Sequence, residues 1–181
     1  MNTVDAIKNK RDINKIKRCL HGRNRLLFTL GVSLGLRISD LLKLKVGDLR
    51  GKTFLKIKEG KTGKYRRIDF SNSVLRDTSK LTGDDDDYVF ESRKRNADGS
   101  GRPISRTQAY RILNAAAERA RVDLAIGTHS LRKTHGWLLY NNGVPLSRIM
   151  VMLNHSSEAV TARYIGITQD EITAAYRSLE V

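Results

Sequence analysis

Cysteine is almost missing from this chain. Cys19 is the only one in 181 residues, which excludes an internal disulfide framework and a cysteine-built metal cluster. Only two prolines occur, leaving room for long helices. No apolar run approaches the roughly 20 residues that span a bilayer. Met1 to Lys10 lacks the apolar stretch of a secretory leader, so the cytosol is the expected compartment, with no membrane partner. Acidic residues are scarce as well: 19 Asp+Glu stand against 34 Lys+Arg, for a formal net charge of +15. That imbalance calls for a polyanionic partner. Hydrophobic residues make up 39% of the chain, enough for one globular core.

The charge is unevenly placed. Residues 1–76 hold 20 Lys+Arg against 6 Asp+Glu, whereas residues 77–181 hold 14 against 13. Nucleic acid suits that basic portion better than an anionic membrane surface, because no basic amphipathic anchor stands out. The plain alternative is a well-solvated surface.

Hydrophobic spacing describes a mostly helical chain with one hairpin. Val4, Ala6, Ile7, Ile13 and Ile16 predict one or two basic surface helices over residues 3–19. Asn24 to Leu34 is a denser apolar run, expected as a buried helix that Gly35 interrupts, with Ser39 capping a short helix beyond. Phe54, Leu55 and Ile57, then Tyr65, Ile68 and Phe70, form strand-like runs around a Gly60-Lys61-Thr62-Gly63 turn. Further helices are expected over residues 71–80, 105–120, 129–140, 145–152, 158–164 and 168–179, with 92–103 a flexible polar loop. The fold class is therefore mainly α with a small antiparallel β-hairpin sheet (α+β). Neither a repeat nor a domain boundary interrupts residues 1–181.

Several short motifs carry chemistry. They are Gly35-Leu36-Arg37-Ile38-Ser39-Asp40, the turn lysine Lys61, His129-Ser130-Leu131-Arg132, Leu153-Asn154-His155-Ser156-Ser157, and Tyr164 nine residues after His155. Arginine forks can neutralise a phosphate in flight, imidazoles can move protons, and a phenol can attack phosphorus. On a helix, His129 and Arg132 share one face. Taken singly, each has a plain reading: a helix-terminal arginine, a solvated turn lysine, a solvated His–Arg pair, a core tyrosine. Lys64 competes with Lys61 for the turn position. His135 falls on an apolar helix with Trp137 and Leu138 and reads as structural. Asp84 to Asp87 are contiguous, as in a solvated acidic loop, rather than dispersed as carboxylate–metal chemistry requires.

Together and in this order, the motifs resemble the tyrosine recombinase (phage integrase) family from about Asn24 to Tyr176. The family's first arginine follows an apolar helix in a Gly-Leu/Ala-Arg-x-Ser-Glu/Asp setting. Its lysine lies in a hairpin turn about 25 residues on, and its Leu-Gly-His-Ser-Ser segment precedes the tyrosine by the spacing seen here. Asn154 departs from that pattern where glycine is usual, and asparagine tolerates the left-handed backbone such a turn needs. The resemblance implies a single catalytic domain over 1–181, without the family's N-terminal DNA-clasping domain. The chain is then either a short stand-alone form, like the fimbrial inversion recombinases, or a fragment.

The resemblance also implies a function: an integrase or invertase that breaks and rejoins double-stranded DNA through a 3′-phosphotyrosyl link. Tyr164 would be the nucleophile, Arg37 and Arg132 the phosphate clamp, and Lys61 the proton donor to the leaving 5′-oxygen. His129 would assist proton transfer at the tyrosine, His155 would hydrogen-bond the phosphate, and Asp40 and Lys64 would support the site. Neither metal nor cofactor is required. A tetramer on DNA is expected, with accessory DNA-bending proteins as conceivable further partners. The competing readings are relaxation of supercoils in the manner of a type IB topoisomerase, and a non-catalytic DNA-binding regulator. The apolar stripe Ile172, Ala175, Tyr176 and Leu179 is a candidate for docking onto a neighbouring subunit.

Overall fold

The computed structural model describes residues 4–61 and 63–179. Among the described residues, ten helices and one hairpin follow in the order α1 (Lys10–Arg18), α2 (Gly22–Leu34), α3 (Ile38–Leu41), α4 (Val46–Leu49), β1 (Phe54–Lys58), β2 (Tyr65–Asp69), α5 (Asn72–Thr78), α6 (Arg106–Arg119), α7 (Thr128–Asn141), α8 (Leu146–Met152), α9 (Glu158–Ile165) and α10 (Gln169–Arg177). The expected class, mainly α with a two-stranded antiparallel sheet, is the class observed. No described helix is long and apolar enough to cross a membrane.

The core is built around α2, whose Leu27, Phe28, Leu30 and Leu34 are buried. Helix α7 lies against it at close range: a Cβ on Gly31 would meet Leu131 Cδ1 at 2.4 Å. A smaller apolar cluster of Ile149, Leu153 and Ile165, with Tyr164 packed against it, joins α8 to α9. The strands pair Leu55 with Ile68 and Ile57 with Arg66. Leu55, Ile57 and Ile68 pack on the main core, and Arg66, opposite Ile57, enters the ion-pair cluster described below.

Sequence and structure part in three places. Residues 4–9 are not helical; they form a strap in which Asp5 N–H donates to Ala125 O at 2.8 Å and Ile7 N–H to Thr134 Oγ1 at 2.8 Å. Ile7, fully buried, anchors that strap in the core, so its apolarity marks a docking point and not a helix face. Ser39 is not a helix cap: α3 begins at Ile38 with Arg37 as N-cap, its carbonyl accepting from Asp40 N–H and Leu41 N–H at 2.9 Å. The loop at 92–103 is tied back on itself by Ser92 N–H to Arg102 O and Asn96 N–H to Ser100 O, at 2.7 and 2.9 Å.

Candidate active site

Gly35 ends α2 in the left-handed region, with φ of +58°. Only glycine fits there, because a Cβ would stand 2.3 Å from His135 Cδ2 and any side chain resists that φ. The turn points Gly35 O toward Arg132, and the next residues hold Arg37 between buried Leu36 and Ile38. His135, the neighbour that enforces the turn, is itself buried. Desolvation lowers its pKa to about 4, and its Nδ1 bonds Val32 O at 2.9 Å. It is a neutral structural histidine.

Arg132, 2% exposed, donates from Nη1 to Gly35 O and from Nη2 to Leu153 O. Those two carbonyls lock its plane, α7 supplying the arginine and the ends of α2 and α8 the acceptors. Burial lowers its pKa to about 10, so it stays charged at neutral pH. Arg37 donates to the carboxylate of Glu59, which is 1% exposed. The other oxygen of Glu59 lies 3.5 Å from Arg66 Nη1 and 3.8 Å from Arg132 Nη1. Burial alone would raise the Glu59 pKa, but hydrogen bonds from Arg37 and Asn154, with the charges of Arg37 and Arg132, outweigh it and hold it at about 2.

Tyr164 comes to the same place from α9. Burial raises its pKa, and the nearby charges of Arg132 and Arg37 offset that only in part. The phenol is therefore protonated at neutral pH and needs an acceptor to attack. The ring of His155 stands edge-on to it, with centroids 4.8 Å apart. Thr161 Oγ1 donates to Ser157 O at 3.0 Å, so it accepts from His155 Nδ1 at 3.1 Å. That bond assigns the Nδ1–H tautomer and leaves Nε2 with the lone pair. Desolvation and then the charges of Arg132 and Arg37 lower the His155 pKa. His129, on the open first turn of α7, is lowered by desolvation and by Arg106, Arg132, Lys133 and Arg37.

Asp40 is 5% exposed and does not face the arginines as a partner. Its Oδ1 accepts from Gly60 N–H at 3.2 Å and so tethers the hairpin. Lys61 and Lys64 are both exposed on that turn; Thr62 lies outside the described residues. Of the two, Lys64 lines a cavity of about 290 Å³ together with Glu59, Arg66, Asn154 and His155. Asn154 takes φ of +51°, the left-handed value expected at this turn, and its Nδ2 donates to Glu59 Oε2 at 3.1 Å.

Sequence reasoning had not singled out Glu59 or Arg66. A signal existed for Glu59: it is the sole acid among eight Lys and Arg between residues 49 and 68. For Arg66 there was none, since a strand arginine at an alternating position reads as solvent-facing until the register is known. A second cavity, about 630 Å³, is lined by Arg23, Arg93, Lys94, Arg102 and Arg111 beside Ser105, the N-cap of α6. Five cations around one opening suit a polyanion.

This arrangement defines a class by its fold. XerA recombinase superposes with a TM-score of 0.74 at 16% identity, over 100% of this chain and 66% of that one. The catalytic domain of bacteriophage HP1 integrase gives 0.62 at 22%, covering 96% and 95%. A lambda integrase tetramer bound to a Holliday junction gives 0.68 at 18%, covering 94% and 51%. The fold is that of the catalytic domain of tyrosine recombinases.

Residues 4–171 match the phage integrase family. A probable integrase/recombinase of Bacillus subtilis, YoeC, is 38% identical over 182 residues, covering 98% of this chain and 97% of the relative. The tyrosine recombinase XerA of Pyrococcus furiosus is 30% identical over 158 residues, covering 84% of this chain and 53% of the relative. The chain belongs to the phage integrase family of tyrosine recombinases. It spans nearly all of the Bacillus relative and about half the length of the Pyrococcus one.

Proposed function

We propose that this chain is a site-specific recombinase whose Tyr164 attacks a DNA phosphodiester, forming a 3′-phosphotyrosyl bond as the bond to the 5′-oxygen breaks. The observation that carries this reading is the convergence of Tyr164 with the two arginines: Tyr164 packs on the cluster of Leu153, whose carbonyl Arg132 holds, its ring stands 4.8 Å from that of His155, and Arg132 shares Glu59 with Arg37. Arg37 and Arg132 would neutralise the non-bridging oxygens. Preorganised donors of this kind are each worth on the order of 3 kcal/mol of barrier. The phenol's proton would leave toward a neutral imidazole, with His129 serving the tyrosine side. His155, whose Nδ1 is committed to Thr161, would reach a phosphate oxygen through Nε2 and take up a proton as the phosphate binds. Lys61 would protonate the departing 5′-oxygen. The phosphotyrosyl bond retains the cleavage energy, so a second 5′-hydroxyl reverses the step and rejoins DNA without ATP or metal.

Double-stranded DNA is the substrate this chemistry requires, and the basic cavity beside α6 offers a seat for its backbone. Exchange between two duplexes involves four strand ends, so the working form we propose is a tetramer on DNA, as the lambda integrase structure is. The α10 segment is the proposed docking element. Tyr176 on that helix and Leu179 just beyond it are 72% and 73% exposed, and the side chains of Ile172 and Ala175 lie outside the described residues.

The decisive experiment incubates the protein with DNA carrying its recombination site, denatures it, and looks for protein retained on the DNA. Wild type should give that adduct and Tyr164→Phe should not. Equal behaviour of the two proteins would overturn the reading. Strand exchange between two labelled duplexes, against relaxation of a supercoil alone, separates recombination from topoisomerase activity.

A further inference from the structure

We infer that Glu59 is a positioning residue: its buried carboxylate is an internal counter-anion that keeps the arginine clamp assembled, and tied to the lysine-bearing turn, before DNA arrives. This rests on the strand-transfer reading above. A clamp of two arginines has a problem when it is empty. Guanidinium groups brought close enough to grip one phosphate repel one another, and burial strengthens that repulsion because the local dielectric is low. Arg132 is almost fully buried, and Arg66 adds a third cation nearby, with only 13% of its side chain exposed. Something negative has to stand among them.

Glu59 stands there. One oxygen accepts from Arg37 Nη1 and from Asn154 Nδ2; the other faces Arg66 Nη1 at 3.5 Å and Arg132 Nη1 at 3.8 Å. One carboxylate thus meets residues from four parts of the chain: the turn after α2, strand β2, helix α7, and the turn between α8 and α9. It also opens the lysine turn. Glu59 N–H donates to Lys64 O at 2.9 Å, and Glu59 O accepts from Gly63 N–H at 2.8 Å. The carboxylate and the Lys61 turn therefore move together, and Asp40 steadies the same turn through Gly60. With three arginines and one carboxylate, the cluster keeps a positive surplus for a phosphate while avoiding the full repulsion of the empty clamp.

Glu59→Gln keeps the size of the side chain and removes its charge. If Glu59 is the internal anion, the variant should need an external one. Its melting temperature should fall in sodium chloride and recover in millimolar inorganic sulfate, which stabilises the folded state by occupying it, while wild type, whose carboxylate already stands among the arginines, gains less. At saturating DNA, the variant should form the covalent adduct on the order of 10- to 100-fold more slowly, the penalty typical of misplaced catalytic groups. Duplex affinity should change far less. An equal loss of melting temperature with and without sulfate, or adduct formation at the wild-type rate, overturns the inference.

Should Glu59→Gln not accumulate as folded protein, Glu59→Asp supplies the same test, because it keeps the charge and draws the carboxylate one methylene back from Arg37, Arg66 and Arg132. Slower adduct formation with unchanged duplex affinity supports the inference, and a wild-type rate overturns it. Failure of the wild-type protein to form any adduct would instead strike the strand-transfer reading itself.

Discussion

Gly35 and His135 are in contact across α2 and α7, so tightly that a single added methyl on Gly35 would stand 2.3 Å from the imidazole Cδ2. The contact couples two ends of the site. On one side it fixes the turn that delivers Arg37, and on the other it aims Gly35 O at Arg132.

Gly35→Ala must therefore strain φ at +58° and displace the His135 ring. We predict a loss of about 3 kcal/mol or more of stability, from backbone strain plus overpacking, and a larger loss of cleavage because both arginines shift. Denaturant melts alongside adduct-formation rates check this; an alanine variant of native stability and activity would show that the turn is not constrained.

Acid should destabilise the protein in two stages. His135 has a folded pKa of about 4 against an ordinary 6.5, so the unfolded chain binds the proton more readily. The stability from keeping it neutral is complete above pH 6.5 and is lost between 6.5 and about 4, on the order of 3 kcal/mol. Glu59, at about 2 against 4.5, adds a second loss as pH falls below 4.5. His135→Asn, whose amide can still donate to Val32 O, should shrink the first stage to the share of His129 and His155, whose pKa values are also lowered, and leave the second unchanged. Melting temperature against pH for the two proteins reads this directly.

Arg132 and Arg37 should separate by stability. Arg132→Ala leaves Gly35 O and Leu153 O without their buried donor and removes a cation facing Glu59. We predict a loss of about 3–5 kcal/mol together with loss of cleavage. Arg37, with 16% of its side chain exposed, leaves Glu59 still faced by Arg66 and Arg132 when it is removed, so Arg37→Ala should cost less stability than Arg132→Ala while cleavage falls by on the order of 10²- to 10³-fold. The measurement is a melt and a single-turnover cleavage rate for each variant.

The two turn lysines can be told apart by the leaving group. A general acid is needed to expel an alkoxide but not a thiolate, so a substrate with sulfur at the 5′-bridging position should restore Lys61→Ala. We predict a loss of about 10²-fold or more on ordinary DNA for that variant and little loss on the thio substrate. Lys64→Ala rescued in its place would move the role to Lys64, which lines the cavity beside His155.

The last helix has a cis anchor. Lys8 on the N-terminal strap donates to Gly166 O at 2.6 Å, pairs with Glu171 at 2.9 Å, and lies over Trp137. Deleting residues 172–181 leaves all three contacts in place. We predict that the deletion preserves duplex binding and impairs strand exchange, read by gel shift and by recombination of two labelled duplexes. Unchanged exchange would remove α10 from assembly.

The sequence by itself determined the helical class, the hairpin, the order of the motifs and the identity of the residues with chemistry to offer. Periodicity, turn residues and caps are local, so Ser105 before α6, Pro145 before α8 and the 54–70 hairpin could be read along the chain. The left-handed turn at Asn154 was legible for the same reason, since the tolerance of asparagine for positive φ belongs to the residue itself.

Tertiary structure alone decided which charges compensate one another. Ile7 looked like one face of a surface helix until the core claimed it, and Glu59, not singled out along the chain, gained its place only where three arginines closed around it. A carboxylate among lysines carries no local mark of burial. Its ionisation, and with it the assembly of the clamp, depends on partners up to 95 residues away, and a Coulomb energy is fixed by distance in space, not by separation in sequence.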